Sequence, residues 1–220
     1  KNRIIYNFQK MNLKIIDNFL DEKDYLALCS LKLKKIDHNS IQVYHNSVGK
    51  NNNVMQADCI NSEKIIELNN RYHKKVINLL DELNPKKTKL YEYSEFHIVE
   101  TGKDFIFPIH DDAPEKLLSG VIYLKPSINK GTIFYNNKKG EGSREIKWKT
   151  NKAVFFSREE RNTWHSYEGD GKSNRLALVY NLMTTKIKEV YKIENKSFLI
   201  GQLRNKINPY LFRYFKTTIN

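Results

Sequence analysis

Phe105-Ile106-Phe107-Pro108-Ile109-His110-Asp111-Asp112 is the stretch on which the fold of this chain turns. Its apolar run reads as a buried strand, and it ends on potential metal ligands. Alternate side chains of an extended chain share a face, so His110 and Asp112 point together and Asp111 points away. Taken alone the match is weak. With 6 histidines and 25 acidic residues, chance supplies roughly 0.7 His-x-acid pairs. The setting strengthens it. Ser119-Gly120-Val121-Ile122-Tyr123-Leu124 is a second strand, and Ala153-Val154-Phe155-Phe156 with the polar turn Ser157 to Asn162 leads to His165. Arg175 then opens Leu176-Ala177-Leu178-Val179-Tyr180. The two histidines sit at strand ends about 55 residues apart, a separation that a rolled sheet closes.

Two imidazoles and one carboxylate on one face of a metal leave positions open on the other. That ligand set suits non-haem Fe(II). Arg175 lies ten residues beyond the second histidine. Its planar fork matches a carboxylate bidentately, as required for the far end of a 2-oxo acid that chelates iron through its other end.

On these residues the chain resembles the Fe(II)- and 2-oxoglutarate-dependent oxygenases, in their prolyl 4-hydroxylase-like branch. Phe155 to His165 looks like the family segment leading to the distal histidine, and Gly131-Thr132-Ile133-Phe134 resembles its glycine-led strand. The resemblance spans residues 90 to 183. It implies an α+β fold with a mainly β core: a double-stranded β-helix, or jelly roll, with flanking N-terminal helices. It implies His110, Asp112 and His165 as iron ligands, with Arg175 and Tyr123 holding the far carboxylate of 2-oxoglutarate. O2 is the second cosubstrate, and ascorbate is compatible as an accessory reductant. The expected outcome is hydroxylation of an aliphatic carbon, with succinate and CO2 released. Candidate substrate or supporting contacts are His97, Ser119, Arg161 and Asn181.

Three positions depart from the branch. Phe107 and Glu100 stand where many prolyl hydroxylases are implied to carry tyrosines, which puts a prolyl substrate in doubt. Asn181 stands where nucleic-acid demethylases carry a second arginine. A peptide side chain or a small amino-acid-like metabolite is therefore the expected substrate. The alternatives are an oxygenase acting on nucleic acid or nucleotides, and a non-enzymatic cupin-like metal binder or structural jelly roll.

Composition is that of a globular protein, with 40% hydrophobic and 12% aromatic residues. The length suits a single domain: residues 1–88 as helical support, 89–183 as the core and 184–220 as a basic helical extension. No apolar run approaches membrane-span length. Lys1-Asn2-Arg3-Ile4-Ile5-Tyr6 lacks the apolar core of a signal peptide. Cys29 and Cys59 are the only cysteines, so a reducing cytoplasm is expected. The net charge of +13 invites a polyanion partner. Residues 184–220 carry eight Lys or Arg against two Glu, so much of the excess lies outside the core and reads as solvated surface.

Helical spacing predicts helices over Asp21 to Ile36, with Leu26, Cys29, Leu33 and Ile36 as its stripe, and over Ser62 to Leu83. Asn84-Pro85 stops the second. Ser40 to Asp58 reads as a flexible polar loop near the site. Ser197 to Lys216 reads as a C-terminal helix. His38, His45 and His73 lack ligand-like neighbours and read as structural.

Overall fold

The computed structural model describes residues 4–7 and 12–215; Lys1-Asn2-Arg3 and Lys216 lie outside that range. Two strands open the chain, β1 (Ile4–Asn7) and β2 (Asn12–Ile16), followed by helix α1 (Glu22–Cys29). Strands β3 (Ile41–Tyr44), β4 (Asn46–Gly49) and β5 (Val54–Ala57) precede the helices α2 (Ser62–Leu83) and α3 (Pro85–Thr88). Then come β6 (Tyr93–Thr101), β7 (Ile106–His110), β8 (Lys116–Lys125), β9 (Thr132–Phe134) and β10 (Arg144–Ile146). The chain continues through β11 (Ala153–Phe156), β12 (His165–Glu168) and β13 (Arg175–Met183), and ends in helices α4 (Ile187–Ile193) and α5 (Phe198–Phe215).

The strands form two antiparallel sheets. The larger has nine strands in the order β1-β2-β11-β8-β13-β6-β4-β5, with β3 also paired to β6. The smaller has the order β10-β9-β12-β7. Two apolar clusters cover the two faces of the larger sheet. On one face, α2 lays Ile65, Leu68, Tyr72, Val76 and Leu79 against Phe155, Ile122, Leu178 and Phe96. On the other, Tyr123, Val154 and Phe156 meet Phe134 and Ile146 of the smaller sheet. Burying each such side chain stabilises by roughly 1.5–3 kcal/mol. No helix among the described residues is long and apolar enough to cross a membrane.

The sequence reading of α2 matches its observed bounds, with Asn61 accepting the Lys64 N–H at 2.8 Å as its cap. The first helix is a correction. It stops at Cys29, and Leu26 of the expected stripe is 55% exposed. The residue it buries besides Leu28 is Asp24, whose carboxylate accepts from Lys64, Arg71 and Tyr72. The helix therefore docks through Leu28, with Tyr25 and Cys29 packed on the core, and through this buried ion pair. Ser40 to Asp58 is also corrected, since it holds β3, β4 and β5 rather than a flexible loop. β3 and β4 pair with β6, and β5 pairs with β4, so polar composition did not prevent pairing. Residues 1–88 thus supply five strands as well as helices.

The C-terminal segment is integrated through buried charge. Glu194, at the end of α4, accepts from Lys87 Nζ at 2.6 Å and from Arg158 Nη1 at 2.7 Å. The Lys87 and Arg158 side chains are 0% and 2% exposed, so neither cation reaches water if Glu194 is lost. Lys64 and Arg71, at 19% and 37%, do reach it. Glu194→Gln is expected to cost about 3 kcal/mol, because it strands buried cations. Asp24→Asn should cost about 1 kcal/mol. Urea unfolding at neutral pH checks the ordering; an equal or smaller loss for Glu194→Gln contradicts it.

Candidate metal centre

Within the smaller sheet, β7 pairs with β12. In that ladder His165 lies opposite His110, and their rings are 4.2 Å apart. Asp112 follows the last residue of β7 and brings Oδ2 to 3.9 Å from His165 Nε2. One potential ligand atom from each of the three residues lies within 4.8 Å of the others. Both histidines donate Nδ1–H to a carbonyl two residues back, Pro108 O and Thr163 O, each at 2.9 Å. Those bonds fix ring orientation and leave each Nε2 as the open lone pair. Asp111 turns away as expected and accepts the Arg161 N–H at 3.0 Å.

The electrostatics suit a cation. Burial pushes the His110 imidazole down to about 3, with His165 adding to the effect, so it stays neutral and able to coordinate. Burial opposes ionisation of Asp112, but Lys116 and the two histidines outweigh it and hold the carboxyl well below the usual range. Lys116 Nζ donates to Asp112 Oδ1 at 2.6 Å and Ser119 Oγ to Oδ2 at 2.5 Å. Behind the ligand, Arg158 Nε donates to the Asp112 carbonyl at 3.0 Å, which links the centre to the Glu194 charge network. Arg204 of α5 pairs with Glu160 in the turn before His165.

The triad opens on a cavity of about 520 Å³ that also contains Arg175. Arg175 is 7% exposed and has no acidic partner among the described residues. Its Nε has no hydrogen bond. The guanidinium rests 4.0 Å from the Tyr167 ring centroid, flanked by Tyr123 and Trp148. A buried cation without a counter-ion is costly, so this end of the cavity is prepared for an anion.

Sequence reasoning located the triad, Arg175, Ser119, His97 and Asn181, and the structure brings all of them to this cavity. Two candidates fall elsewhere. Tyr123 is fully buried beneath the guanidinium and does not line the cavity; its hydroxyl accepts the Thr132 N–H at 2.8 Å and donates to Thr132 Oγ1 at 3.1 Å. Arg161 is exposed at a turn and also does not line it. Thr132 and Tyr167 stand beside Arg175 instead. Lys116, Glu95 and Glu115 were missed. Alternation along β6 could have indicated Glu95, since Tyr93, Glu95, His97, Val99 and Thr101 all face the cavity.

The sequence matches no protein-family model and no curated protein. Solved structures do resemble the fold. A Burkholderia pseudomallei oxidoreductase of the 2OG-Fe(II) oxygenase family aligns with TM-score 0.56 and 16% identity, over 78% of this chain and 84% of its own. A Pseudomonas putida prolyl-4-hydroxylase aligns with TM-score 0.52 and 14% identity, over 80% and 94%. A Trichoplax adhaerens prolyl hydroxylase, solved with a hypoxia inducible factor oxygen degradation domain peptide fragment, gives 0.52 and 14%, over 80% and 85%. The chain has the fold of the Fe(II)- and 2-oxoglutarate-dependent oxygenases. Its similarity extends to the prolyl hydroxylase-like members of that fold, whose sequences have diverged far from it.

His110→Ala, Asp112→Ala and His165→Ala should each weaken Fe(II) binding by at least about 100-fold, each removing one of three ligands. Asp111→Ala should leave it within a few-fold. Anaerobic equilibrium dialysis against Fe(II) checks the set. Loss in Asp111→Ala with retention in Asp112→Ala would reverse the ligand assignment.

Proposed function

We propose that this protein is an Fe(II)- and 2-oxoglutarate-dependent hydroxylase of an aliphatic carbon. The observation carrying the reading is the convergence in one cavity of an open His-Asp-His face and a buried arginine without a counter-ion. His110, Asp112 and His165 would hold the iron, and Arg175 the far carboxylate of the cosubstrate. The two facing sheets support a double-stranded β-helix, with residues 1–88 and 184–220 bracing a core at 89–183. The free cysteines Cys29 and Cys59 fit a reducing, cytoplasmic setting.

When bound, iron and 2-oxoglutarate supply the oxidising chemistry: one oxygen atom of O2 enters an aliphatic C–H bond, the other enters succinate, and CO2 leaves. The chain's own groups prepare that event. The carbonyls of Pro108 and Thr163 fix the imidazoles, while Ser119 and Lys116 keep Asp112 ionised and oriented. Arg175 aligns the cosubstrate through a bidentate pair. Phe107, Phe156, Val121 and Val179 wall the cavity with hydrocarbon and limit water around the reacting carbon.

A peptide side chain or a small amino-acid-like molecule is the substrate that this cavity suits. The Trichoplax relative was solved with a peptide. Nucleic acid is disfavoured because Glu95 and Glu115 line the cavity and repel phosphate. Residues 184–220 carry eight Lys or Arg against two Glu, a large share of the net charge of +13, away from the cavity-lining strands.

Arg175→Met should raise the 2-oxoglutarate concentration for half-maximal succinate release by on the order of 100-fold, with Fe(II) affinity unchanged. Arg175→Lys should rescue it partly, restoring charge without the fork. Unchanged 2-oxoglutarate dependence in Arg175→Met would remove the proposed cosubstrate site.

A further inference from the structure

Arg175 marks one end of the cavity, and the opposite end has the opposite character. Arg175 and Asn181 both face the cavity from β13, six residues and on the order of 20 Å apart along the strand. Asn181 pairs across the ladder with Glu95 of β6. Asn181 is 1% exposed, and its Nδ2 donates to Glu95 Oε2 at 3.0 Å. That bond fixes the amide orientation and leaves Oδ1 as an acceptor. Asn181 Oδ1 is buried without a partner, and so is Glu115 Oε2 in the same cavity wall. Glu115 reaches this end because its carbonyl accepts the Thr184 N–H at 2.9 Å and Met183 pairs with both Tyr93 and Lys116.

Three acceptor groups therefore converge with too few donors. His97 is no substitute, with Nε2 3.8 Å from Glu95 and burial pushing its pKa down. Lys116 also lines the cavity, but Asp112 engages its ammonium at 2.6 Å. Buried acceptors left without donors carry a desolvation cost. A primary ammonium has three N–H donors and a positive charge, matching Asn181 Oδ1, Glu95 and Glu115. From this end toward Arg175 the cavity wall turns aliphatic, with Val179 and Val99 along β13 and β6 and Val43 and Ile41 beside Val99 and Thr101.

We propose that Glu95, Glu115 and Asn181 form an ammonium subsite, so that the substrate is an aliphatic primary amine whose hydrocarbon chain passes the metal. The assignment deepens the hydroxylase reading and rests on it for the reaction, though not for the binding. The shared chemistry has two sources, the α-ammonium of a free amino acid or the side-chain ammonium of a lysyl peptide.

Calorimetry on the full chain under nitrogen, with Fe(II) and 2-oxoglutarate present, tests it. Pentylamine should bind at least about tenfold tighter than pentan-1-ol, reflecting charge-assisted bonds. Glu95→Gln and Glu115→Gln should each weaken pentylamine about fivefold or more while 2-oxoglutarate binds as before. Equal binding of amine and alcohol, absence of amine binding, or indifference to both substitutions overturns the subsite. Amine binding by a chain that does not bind 2-oxoglutarate keeps the subsite and removes the hydroxylase reading. Free L-norleucine carries only the α-ammonium and Nα-acetyl-L-lysine methylamide only the side-chain one. Whichever binds in the same Glu95-dependent way names the source.

Discussion

The antiparallel pairing of β7 with β12 sets His165 opposite His110, and everything chemical in the molecule depends on that register. A slip by one residue would send one imidazole to the opposite face of the smaller sheet. The register is held from both sides. The Tyr167–Phe107 and Glu168–Ile106 pairs continue the ladder past an irregularity at His165, and β9 pairs with β12 on its other edge. Asp112 needs a separate constraint because it lies beyond the strand. Arg158 supplies it by bonding the Asp112 carbonyl, and Glu194 holds Arg158.

That dependence gives the C-terminal segment a role that its composition conceals. Read as charge alone it is a basic tail. In the fold, Glu194 neutralises Lys87 and Arg158 where water cannot, and its second oxygen also accepts the Glu160 N–H at 3.0 Å. Arg204 pairs with Glu160 in the turn that leads to His165. Two acids and three bases from four separated segments thus surround the loops that carry the candidate ligands. Arrangements of this kind contribute fixed geometry more than net stability.

Local signals were legible where one element carried the whole pattern. The α2 stripe and its Asn-Pro stop were sufficient for its bounds, and Ala153–Phe156 was a strand on composition alone. His110, Asp112 and His165 could be grouped from their residue types near strand ends, and the structure brings their polar atoms within 4.8 Å of one another. Long-range pairing was not legible. The polar stretch from Ser40 to Asp58 becomes strands because β3 and β4 pair with β6 and β5 pairs with β4, and α1 is docked by a buried ion pair as well as by Leu28. Tyr123 was implied by the family resemblance to hold the far carboxylate, but its hydroxyl is engaged by Thr132. The acceptors at Glu95, Glu115 and Asn181 become a group only once β6, β13 and the start of β8 lie side by side.

The cavity is therefore polarised, with an uncompensated cation at Arg175, the His110-Asp112-His165 triad on its wall, and unsatisfied acceptors at Asn181 and Glu115. The proposed function requires Fe(II) at the triad and 2-oxoglutarate reaching from it to Arg175 in the same molecule. The most direct measurement is the visible absorption of the anaerobic chain with Fe(II) as 2-oxoglutarate is added. Chelation of ferrous iron by a 2-oxo acid produces a weak metal-to-ligand charge-transfer band. The account predicts that the band appears and saturates at about one 2-oxoglutarate per chain. Fe(II) binding with no such band at any 2-oxoglutarate concentration would contradict it.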